Sequence, residues 1–514
     1  MSEDLEWPAE RLFSTVREIE KLLPSLEVDA AQTCSALSGT DVSTRMFQRL
    51  GGMWLVHLAH QIAAIRESGK PARRPTKLII PNDSWTHHQL LVSDEGYREQ
   101  VRWVCFGLTS TADLDGIPAE VGHVNSPRTS TFRRNVEHVL QRPWSSRQEV
   151  LVTHPYLKIS RPRQLTAVVK SRRLIHWDDL SMPEYQPNNP NLKVRAGLIM
   201  SNTSTLLDMI RRALPILMPV AFAEDLGIHI HRLTKMSAQP RAMFSANGSQ
   251  FYLPYQVLSS YWGERGTLVL SHQHGGHQGL DEVHAGEEYE TRASDIHYTL
   301  GWRDERNNVR SLCTAMPTRS RVRHPSRLLL MTLAHTDTTY RLQPFCTPDH
   351  AQRCFEQTRQ FLGRLGWPGY VVVRGGGRDV LESGLSSGME SEGFETSSTA
   401  SATSSALVVH NYLGVSWLET LAMNVPTVCF IPNGIHRFRP SASWLVARLR
   451  SAGILHESGT DAAKFVNQLN GNPDAWWNSS EVQEARQAFV ARYANFSDDW
   501  LQAWSEEFER LLAE

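Results

Sequence analysis

Six cysteines in 514 residues, at Cys34, Cys105, Cys313, Cys346, Cys354 and Cys429, contain no Cys-x-x-Cys pair. That scarcity excludes a disulfide framework and predicts reduced, mostly buried thiols. Long apolar runs are also missing. The longest, Leu214 to Phe222, is broken by Pro215 and Pro219, and falls well short of the ~20 residues needed for a membrane span. Excess charge is absent as well: 53 Lys and Arg stand against 54 Asp and Glu, a formal net charge of −1. This balance argues against a general nucleic-acid coat and against an acidic disordered chain. The first residues, MSEDLEWPAERLF, are acidic and polar rather than a signal peptide, so the expected location is cytoplasmic, with peripheral contact at the inner membrane face as a further expectation.

The chain is instead rich in tryptophan (15) and histidine (21), side chains suited to ring stacking and proton handling. Before residue 240, helical periodicity marks Arg11–Leu23, Thr44–Arg66 and Ser204–Leu217. Short apolar strands are predicted at Lys77–Ile80, Val101–Gly107 and Glu149–Thr153. The basic stretch Arg161–Arg173 reads as a solvated face or as a contact with an anionic ligand or membrane.

From Arg241 the pattern sharpens. RAMFS, a helix over Gln250–Trp262 and then TLVLSH form a strand–helix–strand unit, which requires parallel strands. The theme repeats with RLLLMTLAH, a helix at His350–Leu365, YVVVR, LVVH, a helix at Ser416–Asn424 and PTVCFIP. Alternation of this kind predicts an α/β fold with doubly wound parallel sheets. Glu382–Ser405, rich in Ser, Gly, Thr and Glu, reads as a long loop. Phe489, Tyr493, Phe496, Trp500, Trp504 and Phe508 recur every three or four residues, so the last 35 residues read as one helix whose aromatic stripe docks on the protein body.

Ligands of open parallel sheets bind beyond the carboxyl ends of the strands. Those ends carry Ser245 and Asn247, then His272, Gln273, His274, Gly275 and Gly276, then Arg374, then His410, Asn411 and Tyr412. The paired glycines allow close backbone approach and expose N–H groups to an anion. Gln273 and His274 can donate to a phosphate or a leaving oxygen. Downstream, Glu287, Glu288, Glu290 and Asp295 offer a general base for an acceptor hydroxyl or a hold on sugar hydroxyls, and Glu290 and Asp295 equally suit a helix cap or an ion pair. His272 and His274, with His277 and His284 nearby, also fit a metal, although no third ligand at a telling spacing stands out. In the second half, Gly414 permits a tight turn, Ser416 can cap the next helix, and Glu419 in its first turn can accept from ribose hydroxyls. Arg374 suits a phosphate or carboxylate.

SANG, SHQHGGHQG, EEYETRASDIHYTLGW, VVVRGGG and NYLGVSWLETLAMNVPTVCFIPN together resemble a family of sugar transferases encoded among bacterial surface-polysaccharide genes. The resemblance covers roughly residues 240–510. It departs at GGGRDV after Arg374, where family members carry an aromatic-proline turn, and at Val415-Ser416, where they carry threonine. The resemblance implies a glycosyltransferase-B-like architecture of two Rossmann-like domains facing across a cleft, with a C-terminal helix packing back on the body. The implied organisation is an N-terminal acceptor domain over 1–320, a nucleotide-sugar domain over 321–480 and a crossover helix over 481–514. His410 to Ser416, Glu419 and Arg374 would grip the nucleotide. Ser245, Asn247, Gln273, His274, Gly275 and Gly276 would approach the phosphate and reacting carbon, and Glu288, Glu290 or Asp295 would act as base. The expected partners are a nucleotide sugar and a glycan or lipid-linked acceptor. Neither a cofactor, a metal nor nucleic acid is expected. The bend after His274 and the Gly414 bend are expected to face each other across a gap between two halves of the molecule. A metal-dependent hydrolase using His272 and His274, and a non-catalytic nucleotide-sugar-binding protein, are the alternatives.

Overall fold

The computed structural model describes residues 9–68, 71–108, 110–122, 150–153, 174–176, 185–199, 205–236, 239–317, 324–332, 348–374, 394–396 and 402–513. The basic stretch Arg161–Arg173 lies outside the described residues. Sixteen strands appear among them: β1 Leu78–Pro81, β2 Ala119–Gly122, β3 Val150–Val152, β4 Leu174–His176, β5 Ala242–Ser245, β6 Leu268–His272, β7 Ile296–Thr299, β8 Val309–Ser311, β9 Thr314–Ala315, β10 His324–Met331, β11 Tyr370–Arg374, β12 Phe394–Thr396, β13 Ser405–His410, β14 Thr427–Phe430, β15 Leu455–His456 and β16 Phe496–Ser497.

The fold is α/β with two six-stranded sheets. The first runs β4-β3-β5-β6-β7-β8 and the second β12-β11-β10-β13-β14-β15. In the second sheet every neighbouring pair is parallel. Counted from its own first strand, its order is 3-2-1-4-5-6, the doubly wound Rossmann arrangement. In the first sheet β3 pairs in parallel with β4 and β5, and β5 with β6. Counted the same way its order begins 2-1-3-4, which places its own reversal between β3 and β5.

The second sheet shows why such strands read as unbroken apolar runs: both faces are covered. Leu328, Leu330, Val371, Val373, Leu407 and Val409 pack on Phe361, Ala462, Ala463 and Val466. The intervening Leu329, Met331, Val372 and Val408 face Met423 and Val425. Each fully buried large aliphatic side chain contributes ~1.5–3 kcal/mol, so this double burial anchors the central strands of the sheet.

The described contacts group into two compact units. One contains Gln273–Glu287 and Tyr298–Glu507, together with Phe13; the other contains Ser14–His272, Glu288–His297 and the residues from Phe508 onward. No helix among the described residues is long and apolar enough to cross a membrane.

Four local expectations are corrected. Val101–Gly107 is not a strand: Glu95–Arg102 is an α-helix that passes into a π-turn at Trp103–Gly107, closed by Leu108 N–H donating to the Trp103 carbonyl at 2.8 Å. A short apolar run cannot by its periodicity be told from a buried helix. The helix read over Gln250–Trp262 is two, Gly248–Phe251 and Leu253–Gly263, parted at Tyr252, with Pro254 opening the second. The C-terminal stripe is also two helices, Ser480–Tyr493 and Trp500–Ala513, because the chain extends at Phe496–Ser497 to pair with β9. Asn495 N–H donates to the Leu300 carbonyl there at 2.8 Å. The aromatic side chains serve separate places: Phe489 and Tyr493 pack with Trp417, Trp504 lies edge-on to Tyr298, and Phe508 edge-on to Phe244. Finally, the loop read over Glu382–Ser405 contains β12 and a 3₁₀ turn at Ala402–Ser404; the rest of it lies outside the described residues.

Candidate active site

The order of the second sheet reverses between β10 and β13, so the crevice of a doubly wound fold falls at their carboxyl ends. At that edge Met331 is in register with Arg374 of β11 on one side and His410 of β13 on the other. Asn411 N–H donates to the Met331 carbonyl at 3.2 Å, and its carboxamide donates to Thr358 Oγ1 at 3.0 Å. His410 is fully buried, 3.3 Å from Thr420 Oγ1 through Nε2, and burial pushes its pKa down to about 3. It is therefore a neutral core histidine at neutral pH. Among the described residues, Arg374 is a half-buried cationic residue at this edge.

After His410 the chain turns through Tyr412 and Gly414 into the helix Val415–Ala422. The cap of that helix is Gly414, not Ser416. Gly414 is extended, and its carbonyl accepts from Trp417 N–H at 3.2 Å. Ser416 sits inside the helix, its hydroxyl 3.2 Å from the Tyr412 hydroxyl. Glu419 is half-buried one turn further on.

The Gln273–Gly276 bend belongs to the same unit and touches this turn. A methyl group at 276 would lie 2.6 Å from the carbonyl oxygens of both Leu413 and Gly414. The two bends are thus in backbone contact, which only a missing side chain allows, and not separated by a gap. Gln273 holds the bend. Its carboxamide donates to the Gly275 carbonyl at 2.6 Å and accepts from Leu300 N–H at 2.9 Å and Trp302 Nε1 at 2.8 Å. Its polar atoms therefore serve the scaffold. His274 and Gly275 are half-buried, and Gly276 is buried.

Behind the bend lies a buried ionic knot. Glu287 accepts from Gly279 N–H at 2.7 Å, Arg439 at 2.7 Å and Arg306 at 3.0 Å. Two guanidiniums and a backbone donor offset the cost of burying this carboxylate. Beside it Asp281 lies between His277 and His436, at 3.4 Å and 2.9 Å from their Nδ1 atoms.

The remaining predicted residues lie in the other unit. Ser245 Oγ accepts from Gly248 N–H at 2.8 Å, closing the turn after β5, with half-buried Asn247 inside it. Glu290 is buried and accepts from Gln250 at 2.6 Å. Asp295 is committed: Oδ1 accepts from Arg49 at 2.6 Å and Arg45 at 3.1 Å, and Oδ2 from Val269 N–H at 2.7 Å. Glu288 is half-buried, as Asp295 is, while Glu290 is buried. Asp295→Asn is accordingly expected to lower stability by about 2 kcal/mol, since it strands the buried Arg49 beside Arg45. Glu288→Gln, at a carboxylate not held by two arginines, should cost less than Asp295→Asn. Denaturant unfolding of both variants checks this pair.

His272 and His274 do not join in a metal-capable set. Among the described residues the one cluster with that capacity is His277, Asp281 and His436. The His277/Asp281 spacing of one helical turn was readable in the sequence; His436, 155 positions away, was not.

The fold is that of a doubly wound α/β protein whose second sheet reverses at this carboxyl edge. The chain belongs to the LIC12162 family transferases, whose family model matches residues 117–508. No curated protein matches it. Among solved structures it is similar to the MnaA–UDP complex of S. aureus, at 9% identity and TM-score 0.39 over 71% of this chain and 98% of that one. It is similar to MurG of Acinetobacter baumannii at 10% identity and TM-score 0.36, over 71% and 99%. TarM matches at 12% identity and TM-score 0.36, over 57% of this chain and 59% of its own. Likeness at this level does not bear on chemistry.

Proposed function

We propose that the protein transfers a sugar from a nucleotide-activated donor to a hydroxyl of a glycan or lipid-linked acceptor, in the cytoplasm and at the inner membrane face, during surface-polysaccharide synthesis. The observation that carries this reading is the reversal point of the second sheet. There Arg374 and the Gly414-capped helix stand at one carboxyl edge, with a second glycine bend packed against them. A cation and the free N–H groups of a helix start suit a diphosphate or nucleotide monophosphate. Membership in a transferase family agrees with group transfer as the reaction class.

In this reading Arg374 and the backbone after Gly414 hold the donor phosphates, and Glu419 accepts from the ribose. The bond between the anomeric carbon and the phosphate oxygen breaks, and the acceptor oxygen takes its place on that carbon. The acceptor proton passes to a carboxylate, with Glu288 as the candidate because it is neither buried as Glu290 is nor held by two arginines as Asp295 is. His274 donates to the leaving phosphate. Fixed donors aimed at developing charge perform the stabilisation, so the transfer step needs no metal.

The test is a thermal shift with CMP, UDP and GDP. One of the three is expected to raise the melting temperature clearly above the other two. Arg374→Ala should weaken that nucleotide about tenfold to a hundredfold, as loss of a charge-assisted contact does. Absence of any nucleotide effect, or wild-type affinity in Arg374→Ala, would remove the proposal.

A further inference from the structure

His277, Asp281 and His436 come together from two segments with no sequence proximity. His277 and Asp281 are one turn apart, immediately after the Gly276 bend, while His436 lies in the loop following β14. The two segments run side by side. Glu282 N–H donates to the Arg437 carbonyl at 2.7 Å, Arg439 N–H donates to the Leu280 carbonyl at 2.9 Å, and Asp281 forms an antiparallel bridge with Phe438. The backbone therefore sets the three side chains in place. The imidazoles of His277 and His436 are stacked 5.2 Å apart and within 3° of parallel, and Phe438 stacks on the outer face of His436. Each Nδ1 faces one oxygen of Asp281, and one ligand atom from each residue lies within 4.8 Å of the others. The Asp281 side chain is 0% exposed and that of His436 2% exposed.

We propose that these three side chains bind one divalent transition-metal ion, which cross-links the segment after the Gly276 bend to the loop after β14. Two imidazole nitrogens and one carboxylate oxygen are the donor set of zinc and its neighbours, not of magnesium or calcium, which take oxygen ligands. The Asp281 carboxylate is fully buried, and a divalent cation held between it and the two imidazoles offsets the cost of that burial without opening the site to water. The ion is a staple and takes no part in the transfer step. The inference goes beyond the donor reading and does not depend on it.

The test uses the full-length protein, stripped with a chelator and titrated with zinc against a chromophoric competitor. The wild type is expected to take up one equivalent and to melt several degrees higher when loaded. The His277→Ala/His436→Ala double variant should take up none. Cobalt(II) in place of zinc should give visible d–d bands, and His436→Cys should add a thiolate-to-cobalt charge-transfer band in the near ultraviolet. Wild-type protein that binds no zinc and shows no shift in melting would overturn the proposal and leave a hydrogen-bonded knot. Equal uptake by the double variant would overturn it as well, by placing the ion elsewhere. Both wild-type readouts hold even where a variant fails to fold, and neither involves nucleotide, so failure here is distinct from failure of the donor reading.

Discussion

Gly276→Ala is expected to lower stability by about 3 kcal/mol or more and to abolish nucleotide-induced stabilisation. The added methyl group meets the carbonyl oxygens of Leu413 and Gly414 at 2.6 Å. Both are backbone atoms at a strand-to-helix turn, so neither can swing aside as a side-chain tip would, and overpacking against such a wall sits at the upper end of its usual cost. Either the Gln273–Gly276 bend or the start of the helix Val415–Ala422 must shift, and the helix start is where donor phosphates are proposed to lie. Gly279→Ala should be comparably harmful to stability, since its φ is +77° and its methyl group would run into the Trp302 ring. Gly363→Ala is the control. That glycine is exposed within the helix Pro348–Arg364 with open space around it, so alanine should stabilise by up to about 1 kcal/mol. Differential scanning fluorimetry of the three variants, with and without the nucleotide the parent prefers, gives the ranking. Wild-type melting and wild-type nucleotide response in Gly276→Ala would contradict the backbone contact.

The second large effect is acid lability. His57, His60, His87, His229 and His410 are buried, and burial lowers their pKa values: to about 4 for His60 and His229, to about 3 for His87 and His410, and well below the usual range for His57. In the unfolded chain each titrates near 6.5. Between those values the unfolded state holds protons that the folded state refuses, so stability is complete above pH 6.5 and falls as the pH drops toward 4. Each such histidine contributes a slope of about 1.4 kcal/mol per pH unit once its unfolded form is protonated. Five together outrun a total stability of ~5–15 kcal/mol within roughly two pH units. Melting temperature is therefore expected to drop steeply below pH 6, with unfolding at room temperature before pH 4. His60→Gln should flatten the slope by about one proton. A melting temperature that stays level from pH 7 to pH 4.5 would show that these imidazoles reach solvent.

The extent to which the chain could be read in advance follows from where the determining contacts lie. The β10, β11, β13 and β14 runs were legible because a strand covered on both faces must be apolar at nearly every position, and LLLM, VVV and LVV are. The parallel pairing of β5 and β6 followed from the helix between them. The glycines at 276 and 414 announced close backbone approach. What they approach was not legible: each bend's neighbour is the other, some 140 residues away. Asp295 read as equally suited to base or ion pair, and Arg45 and Arg49, near residue 50, decided for the pair. Ser416 looked like a cap because serine often is one, and the Gly414 carbonyl already filled that role.

Local sequence by itself determined the α/β class, the places where strands end in polar groups, and the sites where only glycine fits, because these depend on periodicity and on backbone freedom within a few residues. Tertiary structure alone decided the 3-2-1-4-5-6 order that puts Arg374 and His410 on either side of Met331, the break in the C-terminal stripe at Phe496, and the meeting of His436 with His277 and Asp281. Those depend on contacts between segments tens to hundreds of residues apart, and their strength comes from burial and backbone pairing, which no local window contains.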